Sequence, residues 1–258
     1  MKGDRLLRVY TWVIVAWLAF PIAVMIVFGF NDKQSKSNTT WQGFTLRWYQ
    51  ELFAIDGLTD ALRNSVVIAV ASTVVTVVVG TMLGLALGRH RFRGKGVTNL
   101  LVFAAISTPE LVMGASLLSL FVSATVPRNS VTIIVAHVLF SLSFVAVTVR
   151  ARVVTLDPSL EEAARDLGAS TWGTFRQVTL PAIMPGVAAG AMLAFALSID
   201  DYVVTSFVNG PTMTFPLWIV GSVKTGIPPQ VNVMGTLIFG IGVLIAVGSA
   251  LSTRRRRS

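Results

Sequence analysis

The stretch DPSLEEAARDLGASTWGTFRQVTLPAIMPG, residues 157–186, decides how the chain is read. Long apolar segments and short loops surround it. Asp157 suits a helix N-cap, and Pro158 suits the first helical position, where no backbone donor is missed. Ser159 with Glu162 three residues on forms a competing capping box. Either start predicts a short helix with Leu160, Ala163, Ala164 and Leu167 on its apolar face. Gly168 stands where a left-handed C-terminal cap is expected. Ser170 then opens a second short helix carrying Trp172, Phe175 and Val178, ended by Leu180-Pro181 and Pro185. Two readings fit this pattern. One is a surface helix-turn-helix between two membrane spans. The other is a docking element, because two mid-face alanines allow close backbone approach and so short a helix needs a partner to hold it.

Composition excludes a soluble domain. Of the 258 residues 53% are hydrophobic and only 13% charged. Apolar runs near twenty residues recur, and that length crosses a bilayer. The chain reads as one all-α, polytopic membrane domain over 1–258, with the docking loop at about 150–185. Six spans are expected, near 9–30, 65–88, 98–124, 130–149, 186–208 and 232–251. The first is longer than a signal-peptide core and lacks a small-residue cleavage site, so it is read as retained. Residues 31–64 form the longest polar segment, placed outside, either as a plain loop or as a surface receiving a binding protein. The absence of cysteine excludes disulfides, thiolate metal sites and cysteine nucleophiles. His90 and His137 are too far apart to suggest a metal site, and His137 is read as packed or hydrogen-bonded.

The net charge of +9 is a topology signal. With both termini and the docking loop inside, fifteen of the 21 Lys and Arg fall on the inner side. Anionic lipid on that face favours the same placement, and nucleic acid is not expected as a partner. Gly94-Lys95 echoes a phosphate loop, but the spacing from Gly88 is wrong and Gly96 replaces the required Ser or Thr. No ATP site is expected in the chain.

Three carboxylates interrupt apolar spans: Glu110, Asp200 and Asp201. At mid-helix each costs roughly 2.5–3.5 kcal/mol on insertion scales. One placement puts them near the outer boundary, or paired with donors such as Arg128 or another subunit. The other has them line a path for a cation, whose hydration carboxylates and carbonyls replace. Neighbouring aspartates on a helix splay about 100° apart, so one of the pair faces such a path. Tyr202, Trp218 and Phe207 are weaker candidates for cation–π contacts. Pro109 breaks or kinks the third span.

Glu162-Ala163-Ala164, Gly168-Ala169-Ser170, Phe175, Val178, Leu180-Pro181 and Pro185-Gly186 resemble the EAA loop of ABC importer permeases. Thr108-Pro109-Glu110-Leu111-Val112-Met113-Gly114, and Leu197-Ser198-Ile199-Asp200-Asp201 running on to Asn209-Gly210-Pro211, are similar to the spermidine/putrescine (PotC-like) permeases. The resemblance covers nearly the whole chain after the first loop. It implies a type I importer fold in a bacterial inner membrane, multi-pass, with both termini cytoplasmic. It also implies a second homologous permease subunit, two ATP-binding cassette ATPase subunits and an external substrate-binding protein. The ATPases would hold ATP and magnesium, leaving this chain without a cofactor and without covalent chemistry. Glu162, Ala163, Ala164, Gly168, Leu180 and Pro181 would couple to the ATPase, and Asp200, Asp201 and Glu110 would line the path. Another organic cation, an amino acid or a metal chelate is the alternative cargo. An intramembrane enzyme is disfavoured, because no histidine–glutamate zinc motif or serine nucleophile setting is present. A channel or secondary transporter would leave the docking loop without purpose.

Overall fold

Helices account for nearly all the regular structure in the computed structural model, which describes residues 2–33 and 38–255. The helices are α1 (Lys2–Phe28), α2 (Arg47–Gln50), α3 (Asp56–Arg89), α4 (Lys95–Ser107), α5 (Glu110–Ser123) and α6 (Ser130–Val154). They continue as α7 (Ser159–Asp166), α8 (Thr171–Thr174), a π turn (Phe175–Thr179), α9 (Leu180–Ile199), α10 (Val203–Val208), α11 (Phe215–Ser222) and α12 (Pro229–Arg255). Among the described residues four helical runs are long and apolar enough to cross a membrane: Arg5–Phe28, Asp56–Arg89, Ser130–Val154 and Thr171–Ile199. Counting α4 with α5 makes five. Arg256 and Arg257, part of the basic run expected to close the chain inside, lie outside the described residues.

The expected third span is not one helix. α4 and α5 meet at 107° across Thr108-Pro109. Thr108 is extended, with φ −73° and ψ 126°, because the ring of a following proline disfavours the helical region. Glu110 therefore stands in the first turn of α5 and not at mid-helix. There the positive end of the helix dipole favours a carboxylate.

The chain divides into two compact units, one of residues 1–59 and 219–258 and the other of 60–218. In the first, α1 packs on α12 and α2 on α12. Asn31 is wholly buried. Its amide donates to Asn38 Oδ1 at 2.7 Å and to the Thr40 carbonyl at 2.8 Å, and its own carbonyl accepts from Trp48 Nε1 at 2.7 Å. This fixes the start of the long polar segment, and stacks Tyr49 on Phe30 with ring centroids 4.9 Å apart.

In the second unit α6 is the central helix. Val145, Val149 and Val153 are fully buried with Ile183 and Ala194 of α9. Opposite them on α3 stand Gly80, Gly84 and Gly88. A Cβ at Gly84 would lie 2.8 Å from the Ala146 carbonyl oxygen, and one at Gly80 would lie 2.8 Å from a Val145 methyl. Glycine every fourth residue thus lets α3 approach α6 at backbone contact, where dispersion supplies attraction that lipid cannot. A second cluster joins Leu117 and Phe121 of α5 to Ile133 and Ala136 of α6 and Val204 and Val208 of α10.

We expect Gly84→Val to destabilise the protein by about 1–3 kcal/mol through overpacking, read as a lower thermal midpoint in detergent. Gly96→Ala, at a site with nothing near a new Cβ, should leave that midpoint unchanged or slightly raised.

Candidate functional site

Two sets of residues singled out from sequence stand at the two ends of one helical run, Thr171–Ile199. The docking loop leads into its start. Asp157 Oδ1 accepts from the Ser159 backbone N–H at 2.9 Å, which holds the Asp157 carboxyl below its ordinary value. Pro158, expected as the first helical residue, is instead the boundary residue before α7, and Asp157 stands one residue outside it; its bond to Ser159 is complete at neutral pH and is lost only as acid protonates Asp157 below that ordinary value. Ser159 lies inside α7, so the competing capping box does not form. No residue of α7 is buried. Leu160 is 53% exposed and Leu167 89% exposed. An apolar helix face left this open has the chemistry of a contact surface.

Gly168 has φ +85°, in the left-handed region that the sequence predicts for it. Ser170 Oγ accepts from the Gly173 backbone N–H at 3.1 Å and starts α8, as expected. The predicted stop at Leu180-Pro181 does not occur. The π turn Phe175–Thr179 precedes Pro181, which sits in the first turn of α9 where its missing N–H costs little. Pro185 lies inside α9 without ending it. Beneath α7, Glu161 Oε1 accepts from Thr179 Oγ1 at 2.9 Å and pairs with Arg89 Nη2 at 3.4 Å. These contacts tie the loop to the ends of α3 and the π turn.

At the other end α9 stops at Ile199. The fifth span was expected to enclose both aspartates; instead Asp200 is the C-terminal boundary residue of α9. Asp201 ends the helix. Its Oδ2 accepts from the Thr205 backbone N–H and from Thr205 Oγ1, each at 2.7 Å, and its Oδ1 accepts more weakly from Val204 N–H at 3.4 Å. The carboxylate thus satisfies the first free N–H groups of α10. His137 of α6 completes the cluster. Its Nε2 lies 2.9 Å from Thr205 Oγ1 and 3.3 Å from Asp201 Oδ2, and its Nδ1 lies 2.6 Å from Ser198 Oγ. Ser198 Oγ also meets Ser72 Oγ of α3 at 3.0 Å.

The single Thr205 hydroxyl proton is directed at Asp201, so His137 Nε2 carries the proton that meets Thr205 Oγ1. In the neutral ring Nδ1 then accepts from Ser198. The bonds of His137 were expected, but its partners were not, since they lie 61 and 68 residues away. Ser198, His137 and Asp201 repeat the residue types of a nucleophilic triad, yet all three are buried. Ser198 is also held by Ser72, so the cluster binds helices together and does no acyl chemistry.

The two aspartates thus part company. Asp201 is 8% exposed and spent on α10. Asp200 is exposed, as are Glu110 and Tyr202. Phe207 packs against the α5–α6–α10 cluster and against Gly114, one turn beyond Glu110. The helix that Glu110 opens, α5, therefore lies beside α10, the helix that follows the two aspartates.

Residues 80–256 match the family of binding-protein-dependent transport system inner membrane components. The chain belongs to this family. It is a permease subunit, a multi-pass inner-membrane protein without ATPase activity of its own. It is 40% identical over 255 residues to the spermidine/putrescine transport system permease protein PotC of Escherichia coli (strain K12), covering 98% of this chain and 96% of that one. It is 37% identical over 250 residues to the putrescine transport system permease protein PotI of the same strain, covering 93% and 88%. In fold the permease is similar to a crystal structure of a bacterial ABC transporter involved in the import of the acidic polysaccharide alginate. That match has a TM-score of 0.71 at 16% identity, over 98% of this chain and 96% of that one. An inward-facing MetNI methionine ABC transporter matches with a TM-score of 0.60 at 17% identity, over 82% and 99%.

We expect His137→Leu to cost about 1–3 kcal/mol, because Thr205 Oγ1 and Ser198 Oγ each lose a buried partner and keep only Asp201 and Ser72 respectively. His137→Gln, which keeps a donor and an acceptor, should recover part of that loss. Thermal unfolding of the purified protein measures both.

Proposed function

We propose that this permease carries polyamines, spermidine and putrescine, through an ATP-driven importer. What supports this reading is full-length similarity to PotC and PotI joined to one geometric fact: Asp200 stands exposed where α9 ends. A polyammonium cation leaving water needs carboxylates to replace its hydration. Asp200 and Glu110 supply them directly, and Asp201 contributes by ending the helix that presents Asp200. An importer for another organic cation, an amino acid or a metal chelate is the second reading, since an external binding protein sets most of the affinity.

In the proposed assembly a second homologous permease completes the path, two ATPase subunits hold ATP and magnesium, and a binding protein delivers cargo from outside. Six crossings follow if α4 with α5 counts as one and α12 as another. The type I importer arrangement then places both termini and the docking loop in the cytoplasm, on the side where Lys and Arg concentrate. Glu162, Ala163 and Ala164 of α7 with Gly168 form the surface that meets the ATPase. Leu180 and Pro181 start the helix that carries its movement.

Cells lacking other importers, with this permease and its neighbouring subunits restored, should take up labelled spermidine and putrescine. Deleting residues 161–170 should abolish that uptake. Uptake of neither polyamine by an assembled, ATP-hydrolysing complex would transfer the assignment to another cargo. Gly168→Asp should leave the protein inserted but uncouple ATP hydrolysis from transport, because φ +85° strains any side chain and a new charge enters the docking surface. Unchanged uptake would refute the coupling role. Asp200→Asn should lower spermidine uptake roughly tenfold, the worth of about 1.4 kcal/mol, with the thermal midpoint unchanged. Asp201→Asn should lower the midpoint as well.

A further inference from the structure

The turn between α3 and α4 reads Arg89-His90-Arg91-Phe92-Arg93-Gly94-Lys95. It joins a run long and apolar enough to cross a membrane to the first half of the bent one, so it lies at a membrane edge. Two of its cations are spent within the protein. Arg89 pairs with Glu161 at 3.4 Å, and Lys95 Nζ donates to the His90 carbonyl at 3.0 Å. That last bond and a left-handed Gly94, with φ +92°, close the turn. The Arg91 and Arg93 side chains are exposed and have no partner among the described residues. Phe92 stands exposed between them, as apolar side chains do in segments that lie at the boundary of headgroups and acyl chains.

Beyond the turn, α4 presents two opposite faces. One meets α6: Asn99 Oδ1 accepts from Arg150 Nη1 at 2.7 Å, and Val102 is buried. The other carries Val97, Leu100, Leu101 and Ala104, which recur at helical spacing along one stripe, and all four are exposed. Helices that pack on one another in a membrane favour small residues at the contact, as Gly80, Gly84 and Gly88 show where α3 meets α6. A stripe of valine and leucines has instead the composition of a face covered by lipid chains. Two unmet guanidiniums at the edge, with an apolar stripe leading away from them, match a phospholipid from head to tail. The planar fork of arginine fits phosphate oxygens. A zwitterionic headgroup would bring its own cation against Arg91 and Arg93, whereas an anionic one brings none.

We propose that Arg91 and Arg93 bind the headgroup of an anionic phospholipid whose chains lie along the exposed stripe of α4. The lipid is thereby held beside the Arg89–Glu161 pair that ties α3 to the docking loop. None of the residues assigned to ATPase contact or to the path takes part, so the site stands apart from the polyamine reading.

The test uses the complete permease–ATPase complex in nanodiscs of equal phosphatidylcholine and phosphatidylglycerol. Native mass spectrometry reads the lipid that stays with the complex on release. Wild type should retain phosphatidylglycerol in preference. Each of Arg91→Gln and Arg93→Gln should lower that retention roughly fivefold, and the two together roughly thirtyfold, with the ATPase subunits and the thermal midpoint kept. Arg176→Gln removes an exposed arginine elsewhere and should retain lipid as wild type does. A second reading needs no variant: hydrogen exchange across residues 90–96 of wild type should slow when phosphatidylglycerol replaces phosphatidylcholine. The proposal is overturned if wild type shows no preference, if the double variant in assembled complex stays within about threefold of wild type, or if exchange in the turn ignores the lipid. An equal loss on Arg176→Gln would mark diffuse attraction only and overturns it too. So does a double variant that sheds ATPase subunits yet keeps phosphatidylglycerol, which would make the turn a protein contact.

Discussion

A carboxylate buried among apolar helices must be met by donors, and the way Asp201 is met shapes this molecule. Its oxygens take the backbone and hydroxyl donors of Thr205 and stand beside the His137 ring. Those bonds stop α9, start α10 and tether both to α6. Through Ser198 and Ser72 the same network reaches α3. One buried acid therefore gathers four helices, and its neighbour Asp200 is left facing outward. The desolvation cost of Asp201 is offset by donors that would otherwise be unmet at the start of α10.

The helical run Thr171–Ile199 carries that arrangement to the docking loop. Between Leu180 and Ile199 α9 has no break despite Pro181 and Pro185, because one proline lies in its first turn and Ile183 and Gly186, which flank the other, are buried against α6. Gly186 admits the Arg152 side chain and Gly190 admits Val145, each at van der Waals contact or closer. The loop contributes no buried residue from α7, whereas α9 is held along its length. An exposed loop is thereby fixed to a well-packed helix, and the helix ends at the acidic pair. Loop and acidic pair are joined by the covalent run Thr171–Ile199, and also through α3, whose Arg89 pairs with Glu161 and whose Ser72 meets Ser198.

Much of this was legible in the sequence. The left-handed Gly168, the Ser170 cap, the apolar face of α7 and the start of that helix to within a residue follow from rules that act within four residues. The break at Thr108-Pro109 follows likewise, though its sharpness does not. What the sequence hid depends on partners far along the chain. The bonds of His137, and the role of Asp201 as a cap for α10, need Thr205 and Ser198 in place. Gly80, Gly84 and Gly88 look like ordinary residues of an apolar run until Val145, Val149 and Val153 stand opposite. The proline at 181 read as a helix stop because the π turn ahead of it, which makes the first turn of α9 its position, leaves no signature in residue type.

The central claim is that docking loop and acidic pair are joined by one stiff helix. Since the chain has no cysteine, spin labels at Arg176→Cys and Ala196→Cys report on that helix alone, twenty residues or about 30 Å apart at 1.5 Å per residue. Pulsed electron–electron resonance on the full transporter, with and without a non-hydrolysable ATP analogue, measures the separation. A stiff helix gives one narrow distance near that value, unchanged by nucleotide. A second population, or a shift approaching one helical turn of about 5.4 Å, would contradict it.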